Sequence, residues 1–386
     1  MALLSERDAW LVLGCAPGVG AGGFYGLLER FGSASAALRG AADGRLGGQR
    51  TARGMPLTGE AAAAVVEAAR EPQRTLARLA ALGLWSLLPL DADYPARLLV
   101  LDPPPPVLLG WGDAAVLHAA RSVAVVGTRR PTPAGRLLAT RVAGRLVEAG
   151  AVVVSGLAVG IDGAAHAAVV EREGRTVAVI GTGHAQPGPR AHRRLVEAIV
   201  AGGGVVLSEL APDAPATKGT FPRRNRIISA LADAVLVIEA PLRSGALITA
   251  RHGLEQGRLV LAAPGRPGDP WTAGCLALLR ETPARPLVGL DELLVDLDYM
   301  GGEGGRVQAS RGAAASLAAG AALALLADPE RRVAERLRRG PASHDALVAA
   351  TGLAPGVVAA ALTLLQLRGW AHASGPVHLP AGPLLR

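Results

Sequence analysis

Between Arg121 and Ala262 short apolar runs rich in β-branched residues alternate with longer stretches of helical periodicity. The runs are Val123–Val126, Val152–Ser155, Thr176–Ile180, Val205–Ser208, Ala234–Glu239 and Leu259–Ala262. The helices between them are expected over Pro133–Ala149, Ile161–Glu173, Arg190–Val200, Asn225–Leu231 and Gly245–Gln256. Strands that are apolar at every position are buried on both faces, so the pattern predicts an α/β fold: an extended Rossmann-like, doubly wound, mainly parallel sheet.

Upstream the rhythm is helical. A helix from Glu6 breaks at Cys15-Ala-Pro-Gly-Val-Gly-Ala-Gly-Gly23, a second runs through Leu27, Leu28 and Phe31, a third starts near Ser33, and Glu60–Leu82 is again helical. This outline is that of a SAM or helix-hairpin-helix unit, in which Gly18 and Gly20 either permit a tight turn or offer amides to a phosphate. Asp102-Pro-Pro-Pro-Pro106 can continue neither a helix nor a central strand and marks a stiff connector. Downstream, Met300-Gly-Gly-Glu-Gly-Gly305 reads as a linker. Helical segments Glu330–Arg338, Ser343–Thr351 and Pro355–Gly369 followed by a hairpin over Ala371–Leu379 outline a winged helix. The expected organisation is 1–82 helical, 83–120 connector and start of the sheet domain, 121–298 Rossmann-like, 299–320 linker and 321–386 winged-helix-like.

Composition narrows the class. The 386 residues are half hydrophobic, with a formal charge of +8 from 40 Lys+Arg against 32 Asp+Glu, so where the cations stand matters more than their excess. Two cysteines are too few for a disulfide framework or thiolate metal site, no His pair has zinc-ligand spacing, and no cofactor is expected. The longest near-apolar run, Ala313–Ala327, falls short of the roughly 18 to 20 residues of a membrane span, and Glu6, Arg7 and Asp8 stand where a signal peptide needs its apolar core. The reading is a cytoplasmic protein with no membrane partner.

In a doubly wound sheet the loops at the carboxyl ends of the strands form the binding edge. Here those loops collect the chain's unusual residues: Gly127, Thr128 and Arg129; Gly156 at the head of Gly156-Leu-Ala-Val-Gly-Ile-Asp162; Gly181-Thr-Gly183; and Ser244, Gly245 and Thr249 at a further helix start. Most concentrated is Lys218-Gly-Thr-Phe-Pro-Arg-Arg-Asn-Arg226, with four cations around Phe221, one of only three Phe in the chain. Guanidinium groups meeting phosphates beside a flat aromatic face suggest single-stranded nucleic acid. No G-x-x-x-x-G-K-[ST] and no complete G-x-G-x-x-G occurs, which removes the P-loop and dinucleotide readings. Asp162 and His166 stand four apart without a nucleophile beside them, so Asp162 reads as a cap or brace and His166 as packing. A rival reading is a nucleotide-processing Rossmann-like hydrolase with Glu209 or Glu239 as general acid or base.

Val-Gly-Thr-Arg129, Ser155-Gly-Leu-Ala-x-Gly-Ile-Asp162 with Ala-Ala-His166, Phe221-Pro-Arg-Arg-Asn-Arg-Ile-Ile228, Ala234-Val-Leu-Val-Ile-Glu-Ala240, Arg243-Ser-Gly-Ala-Leu-Ile-Thr-Ala-Arg251 and Ala263-Pro-Gly265 with Asp269-Pro270 and Ala273-Gly274 together resemble the DNA-processing protein A (DprA/Smf) family, in order from Val123 to Leu279. The resemblance implies a non-enzymatic, homodimeric protein that binds and shields single-stranded DNA and helps load the recombinase RecA during natural transformation. It also implies a pocket of Arg129, Lys218, Phe221, Arg223, Arg224, Asn225 and Arg226. The chain departs from the family at Val159, where members usually carry Arg, at Cys275 and Leu276, where they carry Asn, and near Gln186, where they carry Tyr-Pro.

Overall fold

The computed structural model describes residues 4–46, 57–217, 219–301, 326, 328–338, 342–367, 371–374 and 377–380. The chain opens with helices α1 (Glu6–Gly14), α2 (Ala21–Phe31), α3 (Ala34–Ala42), α4 (Gly59–Arg70) and α5 (Pro72–Ala81). Ser5, Ser33 and Thr58 cap α1, α3 and α4 by accepting the N–H of Asp8, Ala36 and Ala61. The helical periodicity over Glu60–Leu82 resolves into two helices because Pro72, at the start of α5, supplies no N–H and cannot stand inside a helix. Trp10, Phe24, Leu27, Leu38 and Val65 form the core of this unit, and Val107 and Leu109 from the edge of the main sheet join it.

That sheet runs in the order β1-β2-β6-β5-β4-β3-β7-β8-β9. Its strands are β1 (Trp85–Leu87), β2 (Leu108–Gly112), β3 (Ser122–Val126), β4 (Val152–Ser155), β5 (Thr176–Val179), β6 (Val205–Ser208), β7 (Ala234–Val237), β8 (Leu259–Ala262) and β9 (Arg285–Pro286). From β6 to β9 all neighbours are parallel, whereas β2 pairs antiparallel with β6 and β1. The crossovers are α6 (Pro133–Glu148), α7 (Ile161–Val170), α8 (Arg193–Ala201), α9 (Thr220–Leu231), α10 (Ala246–Glu255) and α11 (Ala273–Glu281), with α12 (Leu290–Gly301) closing the domain.

Alternate strand residues serve opposite faces, as the two-residue period of a strand requires. Val126, Val154, Val179, Val235 and Val237 meet Ile227, Ile228 and Leu231 of α9 and Ala250 of α10. Val123, Val125, Val153 and Leu236 meet Leu146 of α6 and Ile161 and Ala165 of α7. Each fully buried Val, Leu or Ile contributes roughly 1.5–3 kcal/mol relative to exposure. The chain leaves β3 through α6 towards β4 on one side, while α9 carries it from β6 to β7 on the other, so the carboxyl end of β3 is the topological switch point.

Most expected elements are present within a residue or two. The helix expected from Asn225 begins five residues earlier, at Thr220, and β9 was not anticipated. At the carboxyl end α13 (Asp328–Arg338), α14 (His344–Thr351) and α15 (Pro355–Leu367) pack around Val333, Leu337, Leu347, Val358 and Leu365. A small sheet of β10 (Ala342–Ser343), β12 (Val377–Pro380) and β11 (Ala371–Ser374), in that order, completes the winged-helix outline. The expected linker and the apolar run Ala313–Ala327 lie largely outside the described residues. Among the described residues, no single helix is long and apolar enough to cross a membrane.

Candidate nucleic-acid interface

The interface is built on the first turn of α9, where it crosses the carboxyl ends of β4 and β5. Thr217 and Thr220 start the helix reciprocally: the Thr217 N–H donates to Thr220 Oγ1 at 3.1 Å and the Thr220 N–H to Thr217 Oγ1 at 3.2 Å. Pro222 falls in the first turn, where backbone N–H groups have no intrahelical acceptor, so it costs the helix nothing. Lys218 lies outside the described residues.

Phe221 seats its ring against Gly181 at the end of β5, where a Cβ would stand 2.9 Å from Phe221 Cδ1. The Arg129 guanidinium lies over the same ring, 5.1 Å from its centroid, in cation–π geometry. Arg129 is exposed and makes no ion pair among the described residues. Its loop is fixed from behind: the Thr128 N–H donates to the Glu239 carbonyl at 2.7 Å, the Thr128 carbonyl accepts from the Ile161 N–H at 3.2 Å, and Thr128 Oγ1 accepts from the Arg130 N–H at 3.2 Å. Gly160, at φ +97°, lets this loop approach α7 more closely than any side chain would allow. Gly127 is likewise constrained, since a Cβ there would stand 2.5 Å from the Ile161 side chain.

The other cations diverge. Arg224 is 5 % exposed and points inward, donating to the Gly156 carbonyl at 2.7 Å, to the Val179 carbonyl, and to Asn225 Oδ1 at 3.2 Å. Gly156 separates Arg224 from Asp162, for a Cβ there would lie 2.7 Å from both Arg224 Nη2 and Asp162 Oδ2. Burial lowers the Arg224 guanidinium to about 10 and raises the Asp162 carboxyl, despite Arg224 and the backbone N–H of Gly156 pulling the latter down. Gly156 and Arg224 therefore brace the site from within and offer no surface for a phosphate. Arg226 pairs with Glu209, whose carboxyl is pushed up by burial more than its arginine neighbours lower it, and donates to the Pro103 carbonyl at 3.2 Å. Asn225 is buried and donates to the Gly245 carbonyl at 3.2 Å, tying α9 to the start of α10.

Arg223 is exposed but leaves the opposite side of α9 from Phe221. It lines a groove of about 970 Å³ between Gly14–Ala21, α5 and residues 209–217, with its guanidinium against Gly20. At the start of α10, Gly245 is exposed and Ser244 partly so, with Ser244 Oγ accepting the Ala246 N–H at 3.3 Å; Thr249 is 2 % exposed and belongs to the interior. Of the residues grouped by sequence, Arg129 and Phe221 come together at the surface, Ser244 and Gly245 stand at the same sheet edge, and the rest hold that arrangement or face elsewhere. Gly181 was legible only as a loop glycine; its place beneath Phe221 depends on a contact across forty positions.

Asp162 and His166 behave as brace and packing. Asp162 accepts the Gly156 N–H at 3.1 Å, and His166 Nδ1 meets Thr176 Oγ1 at 2.8 Å in surroundings that lower its ring to about 3. Of the two carboxylates a hydrolase would use, Glu209 is paired with Arg226, and Glu239, 3 % exposed, accepts the Thr132 N–H at 2.8 Å at the head of α6. Among the described residues no group of three or more His, Cys, Asp or Glu could hold a metal ion.

Comparison with known proteins bears on the family and the fold. Residues 85–298, more than half of the chain, match the sequence model described as DNA recombination-mediator protein A, and residues 317–375 match that of the DprA winged helix domain. The DNA processing protein DprA of Bacillus subtilis is 39% identical over 208 residues, covering 54% of this chain and 70% of that protein. Protein Smf of Escherichia coli is 42% identical over 196 residues, about half of each chain. Among solved structures, that of DNA processing protein A from Streptococcus pneumoniae superposes with a TM-score of 0.56 at 30% identity, covering 77% of this chain and 94% of the other. One from Helicobacter pylori, described for its single-stranded DNA binding mode, gives 0.51 at 29% identity over 56% and 96%. The chain belongs to the DNA recombination-mediator protein A family.

Proposed function

We infer that this protein binds single-stranded DNA along the carboxyl edge of its main sheet and acts as a recombination mediator, shielding the strand and helping to load RecA during natural transformation. The observation that carries this reading is the cation–π pair of exposed Arg129, in the loop after β3, and half-buried Phe221 at the carboxyl edge of the sheet. A base stacking against this pair while its phosphate meets Arg129 would couple a sequence-tolerant aromatic contact to a charge contact, the usual combination for single strands. Lys218, three residues before Phe221, would add a second cation, and exposed Gly245 at the head of α10 a backbone N–H. Support also comes from the single-strand binding described for the Helicobacter pylori relative. The working unit is read as a homodimer, and the site is read as non-catalytic.

Fluorescence anisotropy with labelled oligo-dT and with a duplex of equal length tests the binding. Tighter binding of the single strand is expected, and equal or stronger duplex binding contradicts the reading. Recovery of RecA with the protein in a pull-down tests the mediator role, and release of base or phosphate from mononucleotides would favour a hydrolase.

A further inference from the structure

Two other residues at the same sheet edge are apolar and exposed. Leu242, in the loop after β7, is 64 % exposed, and Trp271, in the loop after β8, is 39 % exposed. Trp10, by contrast, is 1 % exposed, and Trp85 and Trp111 spend their indole N–H on the carbonyls of Gly112 and Leu82. The Trp271 loop is pinned in place. The Trp271 N–H donates to Asp269 Oδ1 at 2.9 Å, the Asp269 N–H to the Arg266 carbonyl at 3.1 Å, and the Gly274 N–H to the Ala240 carbonyl at 2.8 Å. A Cβ on Gly274 would stand 2.6 Å from the carbonyls of both Ala240 and Pro241, so this glycine seats the Trp271 loop directly against the segment leading to Leu242 and Arg243. Arg243 and Arg266 flank the two apolar side chains in sequence, are exposed, and form no ion pair among the described residues.

We propose that Trp271 is a second stacking platform for the same single strand, with Arg243 and Arg266 meeting the phosphates between it and Phe221. This rests on the single-strand reading above. From the end of β5, where Phe221 sits, to the end of β8 the sheet order β5-β4-β3-β7-β8 gives four inter-strand steps, roughly 19 Å at the usual strand spacing. A single strand covers that distance in about three to six nucleotides, depending on how far it is stretched from the 3.4 Å step of a duplex strand. An exposed aromatic between unpaired cations fits a base and its phosphates, and Asp269, the nearest acid in sequence, has its Oδ1 turned to the Trp271 N–H.

The test compares labelled oligo-dT of about two and about twelve nucleotides, lengths chosen to fall short of and to exceed the span. Trp271→Ala should weaken the longer oligonucleotide about tenfold, leave the shorter one unchanged, and be rescued by Trp271→Phe. Indole emission should fall when the longer oligonucleotide binds the parent protein, and that fall should be missing in Trp271→Phe. Equal affinity of parent and Trp271→Ala for both lengths, or an equal loss on both, overturns the proposal. A change of oligomeric state in Trp271→Ala, by light scattering, with DNA affinity intact assigns Trp271 to a protein contact and also overturns it. If the parent protein binds neither oligonucleotide, the single-strand reading itself fails, an outcome distinct from a silent Trp271.

Discussion

Arg224 donates to the Gly156 carbonyl across 68 positions of the chain, and the same guanidinium reaches the Val179 carbonyl, so one buried side chain clamps the start of α9 onto the ends of β4 and β5. Its role is to hold Phe221 where it is. Arg224→Ala should cost about 3–5 kcal/mol, because two buried carbonyls lose their donor and buried Asp162 loses its nearby opposite charge. Binding to oligo-dT should weaken without any change in its salt dependence, since no phosphate contact is removed. Chemical denaturation and salt-resolved anisotropy measure the two effects, and a shallower salt slope would instead place Arg224 on the DNA.

Gly181 makes the complementary case. A methyl group there meets the Phe221 ring at 2.9 Å, and a ring packed on the backbone yields less readily than the tip of a long chain. Gly181→Ala should lower oligo-dT affinity about tenfold, within the 1–3 kcal/mol range of base–aromatic stacking. The fold should be retained, as circular dichroism and a melting curve would verify. Unchanged affinity would mean that the position of Phe221 is immaterial.

His166 and His184 are neutral in the fold: burial lowers the first from 6.5 to about 3 and the second from 6.5 to about 4. Each takes up a proton only on unfolding, so their contribution is complete above pH 6.5 and is lost as pH falls towards those values, at up to about 1.4 kcal/mol per pH unit for each ring. Asp162 and Glu209 act in the opposite sense, because carboxyls raised by burial favour the fold in acid and lose that contribution as pH rises through them. Urea denaturation between pH 7.5 and 5 should show falling stability, with a smaller slope in His184→Gln. A flat profile would mean that the two rings take up protons in the fold over the same pH range as in the unfolded chain, contrary to their burial.

The strands could be read from the sequence because burial on both faces demands unbroken apolar runs, which leave a local signature. Directions of individual cations could not. In Phe221-Pro-Arg-Arg-Asn-Arg226 the polar composition and the proline disguise a helix start, and once the helix begins at Thr220 its turn of about 100° per residue sends neighbouring arginines to different places. Arg223 goes to the groove beside Gly20, Arg224 to Gly156 and Val179, and Arg226 to Glu209. A dense basic motif therefore contains fewer exposed cations than its composition implies. The helix break at Pro72 had a local signal in the proline, which the continuous periodicity over Glu60–Leu82 masked, whereas the seat of Phe221 on Gly181 and the gap that Gly156 leaves between Arg224 and Asp162 are long-range contacts with no local signature.

The central claim is that Arg129 and Phe221 together hold a single strand. Its most direct test is the affinity of the double variant Arg129→Ala, Phe221→Ala for oligo-dT, measured by anisotropy across a salt series beside the parent protein. The account predicts a loss of about a hundredfold and a log–log salt slope shallower by about 0.7, one phosphate contact on a single strand. Parent-like affinity with an unchanged slope would contradict it.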